Sequence, residues 1–165
     1  MPEILTQHHF RTFPAYSLLS LRDADSDALD DPGALVGAAV ANIVAVRGCH
    51  LYVSTVHSGL PVAADLVLWD SAPPPPPRTG EDQGLLRPGD LESHTGLLVL
   101  SSPTGEWTEF TLTTGPGVYT TAIEHRGRTA AARRRDSPGE DSPSTAERYT
   151  IHLWRTADLP PDDDW

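Results

Sequence analysis

Gly115-Pro116-Gly117-Val118-Tyr119-Thr120-Thr121-Ala122-Ile123-Glu124-His125-Arg126-Gly127 decides how this chain is read. Glycine and proline set a turn, a run suited to a strand follows over 118–126, and a second glycine closes it. A strand alternates its side chains between two faces. Tyr119, Thr121, Ile123 and His125 therefore share one face, and Val118, Thr120, Ala122 and Glu124 share the other. Tyr119 and Ile123 read as core and His125 as a surface residue. Glu124 and His125 point to opposite faces, which argues against an acid–base site at the end of the strand.

The same plan recurs on both sides. Upstream, Trp107, Glu109, Thr111 and Thr113 alternate with Thr108, Phe110 and Leu112, and residues 96–101 (Gly-Leu-Leu-Val-Leu-Ser) form a buried strand. Downstream, Tyr149, Ile151 and Leu153 alternate with Thr150, His152 and Trp154. Earlier in the chain, residues 3–10, 15–22, 50–57 and 61–70 read as strands. The last two are joined at Ser58-Gly59, a hairpin signal, with Val62, Ala64, Leu66 and Leu68 inward. Residues 34–46 are ambiguous: alanine propensity suits a helix over 35–41, but Val40 to Val46 is rich in β-branched residues and favours a strand. Asp23 to Gly33 reads as an acidic turn-forming loop.

About eight short strands with no secure helix give an all-β chain, a two-sheet antiparallel β-sandwich or a flattened barrel. One domain spans 1–156, with irregular loops at 71–93 and 128–147, and 157–165 forms an acidic C-terminal tail. The prolines at 73–77 read as a solvated spacer rather than a ligand for a proline-binding domain.

Charge and composition narrow the function. The chain has 165 residues, a net charge of −11, one cysteine, and twelve basic residues that are all arginine, as GC-rich coding would give. So acidic a chain is repelled by phosphates and anionic lipids, and suits a basic protein partner. The exception would be a local patch at Arg133-Arg134-Arg135. Cys49 has no partner for an intramolecular disulfide, and the first residues do not resemble a secretory signal, so a cytoplasmic location is expected. No segment is apolar for long enough to cross a membrane.

No reaction is legible. The seven histidines include no His-x-His or His-x-x-x-His pair, so no metal site and no cofactor is expected. Cys49 and His50 are neighbours and would point apart on a strand. Asp65 and Glu124 lie in apolar strands, where exposure on a solvated sheet face is the simpler reading; an enzyme would have to use these acids or His125. Two binding surfaces are possible: Asp162, Asp163, Asp164, Trp107 and Glu109 could meet a basic partner, or Trp69, Trp107, Trp154 and Tyr119 could line a platform for carbohydrate or another small ligand.

Four blocks also carry a family resemblance: Val-Leu-Trp-Asp (67–70), Leu-Leu-Val-Leu-Ser-Ser-Pro-Thr-Gly-Glu-Trp (97–107), the opening stretch extended to Arg128, and Arg-Tyr-Thr-Ile-His-Leu-Trp (148–154). They resemble uncharacterised actinobacterial β-rich proteins and, more distantly, the competence protein J family of small inhibitors of a DNA-entry nuclease. The proline run and the arginine-rich loop depart from that pattern. The resemblance implies a non-enzymatic binding protein, an inhibitor or immunity protein, and carries over no individual site residue.

Overall fold

The computed structural model describes residues 1–27, 29–78, 80–103, 105–136 and 147–161. Among these, eleven strands form two sheets, so the chain is an all-β sandwich with more and shorter strands than the alternation suggests. Sheet A contains β1 (Ile4–Thr12), β5 (Val62–Trp69), β6 (Gln83–Leu86), β7 (Asp90–Ser93), β10 (Gly117–Arg126) and β11 (Arg148–Ala157). Its order is β1-β5-β11-β10-β6, with β7 also paired to β10. Sheet B contains β2 (Leu18–Asp23), β3 (Val44–Arg47), β4 (His50–Ser54), β8 (Leu97–Ser101) and β9 (Trp107–Thr111), in the order β3-β4-β2-β8-β9. All pairs are antiparallel except β5 with β11, which is parallel.

The alternation places the core as expected. Leu66, Leu68, Tyr119, Ile123, Ile151 and Leu153 from sheet A meet Leu19, Leu21, Leu51, Val53, Leu98 and Leu100 from sheet B, all buried. Burying this apolar surface is the main driving force for joining the two sheets.

The expected hairpin between residues 50–57 and 61–70 does not form. β4 pairs with β2 and β3, whereas β5 pairs with β1 and β11, so the chain crosses between sheets after Ser54. A buried carboxylate makes the crossing possible. Glu147, just before β11, accepts from the Val56 amide (2.7 Å) and the His57 amide (3.1 Å). It also accepts from the Tyr149 hydroxyl (2.5 Å). Arg128 donates to the Ser54 carbonyl (2.6 Å) and to the Tyr149 hydroxyl (2.8 Å), tying the sheets together at this end. Burial first, and then the Glu147 charge, push the Tyr149 phenol far above its usual value.

The opening stretch is also placed differently. β10 is not flanked by the strand that precedes it in sequence: it lies beside β11 and the short strands β6 and β7, because β9 belongs to sheet B. Those two short strands lie within the segment expected to be irregular.

Two helices occupy segments read as loop or as ambiguous between helix and strand. α1 (Pro32–Asn42) starts where Asp30-Asp31-Pro32-Gly33 looks like a turn. Asp31 is instead the N-cap, accepting from the Ala34 amide (3.1 Å), with Pro32 in the first turn. Both are favoured helix-start residues. Ile43, at φ 75°, ends the helix, so the strand expected from Val40 begins only at Val44. α2 (Arg128–Asp136) carries Arg133-Arg134-Arg135 in its backbone. Its first amides, of Thr129 (2.9 Å) and Ala130 (3.2 Å), donate to the Asp82 carboxylate. Burial would raise the Asp82 pKa, but these donors outweigh it and hold the carboxyl below the usual range.

Asp65 and His125 are not surface residues. Asp65 is only 9% exposed and bonds His9 Nδ1 at 2.6 Å. His125 is half-buried over Gly84, where an added Cβ would lie 2.3 Å from its Nε2. Gly84→Ala is thus expected to cost about 1–3 kcal/mol by overpacking, read by urea denaturation, and His125→Ala in the same chain should recover much of the loss. A Gly84→Ala chain as stable as wild type would show that β6 yields freely.

Candidate functional site

The outer face of sheet B at its β9 edge combines exposure, an unpaired backbone and aromatic surface. Among the described residues β9 pairs only with β8, leaving its other edge open. Alternation buries Phe110 and turns Trp107, Glu109 and Thr111 outward, with Trp107 62% exposed. Register aligns two outward rows: Ser20, Ser101 and Trp107 in one, and Arg22, Val99 and Glu109 in the other. With Pro103 and Gly105, residues of both rows line an open groove of about 430 Å³.

The same end of the sheet carries a second exposed aromatic residue. The Ala15 amide donates to Ser102 Oγ (2.9 Å), anchoring the 3-10 turn Ala15–Ser17 beside the β8–β9 connection. Within that turn Tyr16 is 82% exposed at φ 56°, and Ser17 follows at φ 55°. Left-handed backbone costs a non-glycine residue roughly 1–2 kcal/mol. A pair of such residues presenting an exposed tyrosine is strain of the kind that collects at binding sites. The turn replaces the first residues of the strand expected over 15–22.

The expected partner-binding residues therefore divide. Trp107 and Glu109 come together on one face of the open edge, whereas Asp162, Asp163 and Asp164 lie outside the described residues. The four rings considered as a platform separate: Tyr119 and Trp154 are buried, Trp69 lies on sheet A, and Trp107 is on sheet B. Tyr119 is a core residue whose hydroxyl donates to the Gly115 carbonyl (2.5 Å).

The proline run is not a free spacer. Residues 73–77 lie over the outer face of sheet A and, with Trp69, Leu85, Ala122 and His152, enclose an apolar groove of about 210 Å³. Beneath them Trp69 Nε1–H donates to His152 Nδ1 (3.0 Å), and His152 Nε2 lies 2.6 Å from Glu124 Oε2. A nitrogen that accepts from an indole carries no proton, so Nε2 is the protonated nitrogen and donates to Glu124. Both ring nitrogens are engaged, leaving no lone pair for a general base.

Cys49 is equally unsuited to attack. It lies in the β3–β4 turn rather than on a strand, so it and His50 line one cavity instead of pointing apart. Burial, and then the charges of Asp23 and Glu92, push its thiol up to about 11. The thiolate is the nucleophile, and at neutral pH it is scarce here.

No helix among the described residues is long and apolar enough to cross a membrane. No family model and no curated protein matches the sequence. Two solved structures share the fold. One is ComJ, inhibitor of the DNA degrading activity of NucA, from Bacillus subtilis: it is 13% identical, with a TM-score of 0.56, and the alignment covers 94% of this chain and 99% of that one. The other is the protein of crocagin biosynthetic gene J: 15% identical, TM-score 0.53, covering 94% and 98% of the two chains. The resemblance to the competence protein J family holds at the level of the fold.

Proposed function

We propose that this protein is a non-enzymatic, cytoplasmic binding protein that inhibits a basic protein partner such as a nuclease, docking through the outer face and open edge of β9. The observation that carries the reading is Trp107, 62% exposed beside Glu109 on a strand whose outer edge is unpaired among the described residues, in a chain of net charge −11. Exposed tryptophans at the centre of interfaces supply much of the binding energy. An open edge can also accept a strand from a partner. The net negative charge, to which Asp162, Asp163 and Asp164 contribute, would attract a basic partner, and that attraction weakens as salt rises. ComJ, which has the same fold, inhibits a DNA-degrading nuclease. That likeness supports an inhibitor over other binding proteins. The engaged ring of His152 and the protonated thiol of Cys49 fit a protein that binds rather than reacts.

Trp107→Ala is expected to weaken partner binding by about 30-fold or more, the effect of losing roughly 2 kcal/mol at a central anchor. Its melting temperature should match wild type, because the side chain packs on little. Glu109→Arg should slow association chiefly at low salt. Surface plasmon resonance against the purified partner reads both effects, and affinity unchanged in Trp107→Ala would move the interface elsewhere.

A further inference from the structure

At the seam where β7 meets the β3–β4 turn, three side chains with metal-ligating atoms converge from separate parts of the chain. Cys49 Sγ, a Glu92 carboxylate oxygen and a His94 ring nitrogen all lie within 4.8 Å of one another. The main chain holds their positions. The Glu92 amide donates to the Gly48 carbonyl (2.9 Å), and the Asp23 amide donates to the Cys49 carbonyl (3.2 Å). Asp23, fully buried, then fixes both sides of His94: its carboxylate accepts from the Ser93 hydroxyl (2.7 Å), the Thr95 amide (3.1 Å) and the Thr95 hydroxyl (2.9 Å). The three donors thus stand on a framework that does not depend on their own side chains.

The surroundings suit a cation. The cluster borders a cavity of about 470 Å³ whose walls include Asp25, Asp27, Cys49, His50 and His94. His50, only 7% exposed, approaches the Asp27 carbonyl through Nε2 at 2.9 Å. A carbonyl only accepts, so Nε2 carries the proton and Nδ1 keeps its lone pair. Among the described residues, that buried Nδ1 has no hydrogen-bond partner. An unused lone pair on a buried imidazole in the wall is unusual, since buried polar atoms are nearly always satisfied. Asp23, buried with its amide donating to the Cys49 carbonyl, and Glu92 put negative charge at the cluster, which favours a divalent cation.

We propose that Cys49, Glu92 and His94 bind a divalent transition metal, with Zn2+ the best match. Sulfur, imidazole and a single carboxylate are the donors of zinc and its neighbours; Mg2+ and Ca2+ take oxygen ligands. Three protein donors leave the fourth tetrahedral position for water, as in open zinc sites. Cys49 enters as a thiol, so binding forms the sulfur–metal bond and releases its proton to solvent. The metal would join β7 of sheet A to the β3–β4 turn of sheet B. This site lies apart from the β9 face and does not depend on it.

The test uses the metal alone on the full chain. Co2+ should give a thiolate-to-metal charge-transfer band at one equivalent, and excess Zn2+ should displace it and raise the melting temperature. Cys49→Ser should abolish the band, and His94→Ala and Glu92→Gln should each weaken Zn2+ binding about tenfold or more, since even outer-sphere changes cost 10- to 100-fold. His57→Ala, which removes an imidazole outside the cluster, should bind like wild type, and circular dichroism checks that each variant folds. No band in wild type, a band that survives in Cys49→Ser, or unchanged affinity in His94→Ala would overturn the site.

Discussion

Glu147→Ala is expected to destabilise the protein by about 3–5 kcal/mol, the usual cost of removing one member of a buried charged cluster. The side chain is in a residue only 2% exposed, and among the described residues it alone accepts from the Val56 and His57 amides. Without it both amides lose their acceptor, the Tyr149 hydroxyl loses its own, and the Arg128 guanidinium 3.9 Å away loses its counter-charge. Water enters such a site poorly, so the penalty is the desolvation of groups left unpaired rather than the loss of one hydrogen bond. For a chain of this length the melting temperature should fall by roughly 10 °C or more, at about 2–4 °C per kcal/mol. Glu147→Gln keeps one acceptor oxygen and should fall between the two. A Glu147→Ala chain that melts like wild type would show that the crossover between sheets is held by packing alone.

Asp23→Ala is the second large effect, again about 3–5 kcal/mol at neutral pH, because several buried donors lose one acceptor. Besides Ser93 and Thr95, the Asp25 amide donates to it at 3.0 Å. Burial raises its pKa, but the donors from Ser93, Thr95 and Asp25 outweigh burial and hold the carboxyl below the ordinary value. A carboxyl lowered in the folded state stabilises fully above its unfolded pKa, and that contribution disappears as pH falls through the folded value. The gap between wild type and Asp23→Ala should therefore be constant near neutral pH and narrow on acidification below about 4, the ordinary range of aspartate. Urea denaturation at a series of pH values reads it; a gap that widens in acid would mean that Asp23 folds protonated.

These two acids show where the sequence was silent. Among so many aspartates and glutamates, nothing local separates Asp23 and Glu147, which hold the fold, from those that merely solvate it. Asp65 was misjudged for the same reason: it is flanked by His9 of β1 and Thr150 of β11 and bonds the His9 ring, partners set by strand register and not by local sequence. The inward faces of β5, β10 and β11 were legible because alternation is local. The false hairpin arose because Ser58-Gly59 is a good turn, but Glu147, some ninety residues away, supplies the acceptors that let the chain cross instead. Alanine propensity offered α1 over 35–41, but its start was masked because Asp31-Pro32 serves a turn or a helix start equally well, and its end because the β-branched run from Val40 favours a strand.

The functional surfaces divide in the same way. Trp107 and Glu109 were readable as one face of a strand opposite Phe110, but that β9 is an edge strand depends on sheet order. The Cys49–Glu92–His94 cluster could not be read from histidine spacing, since its members meet only where β7 reaches the β3–β4 turn. Gly48, at φ +55°, shapes that turn, and Cys49 lies between β3 and β4 outside either strand.

The docking reading faces its most direct test in a capture experiment with two baits. Wild-type and Trp107→Ala chains, each immobilised, are offered lysate of the source cells at low salt, eluted by raising salt, and the eluates are identified and assayed for DNA degradation. The predicted result is a basic protein held by wild type, released by salt and absent from the Trp107→Ala eluate, whose DNA-degrading activity is blocked when one equivalent of the wild-type chain is added back. Recovery of no basic protein, or of one that binds both baits equally and stays active with the chain added, would contradict it.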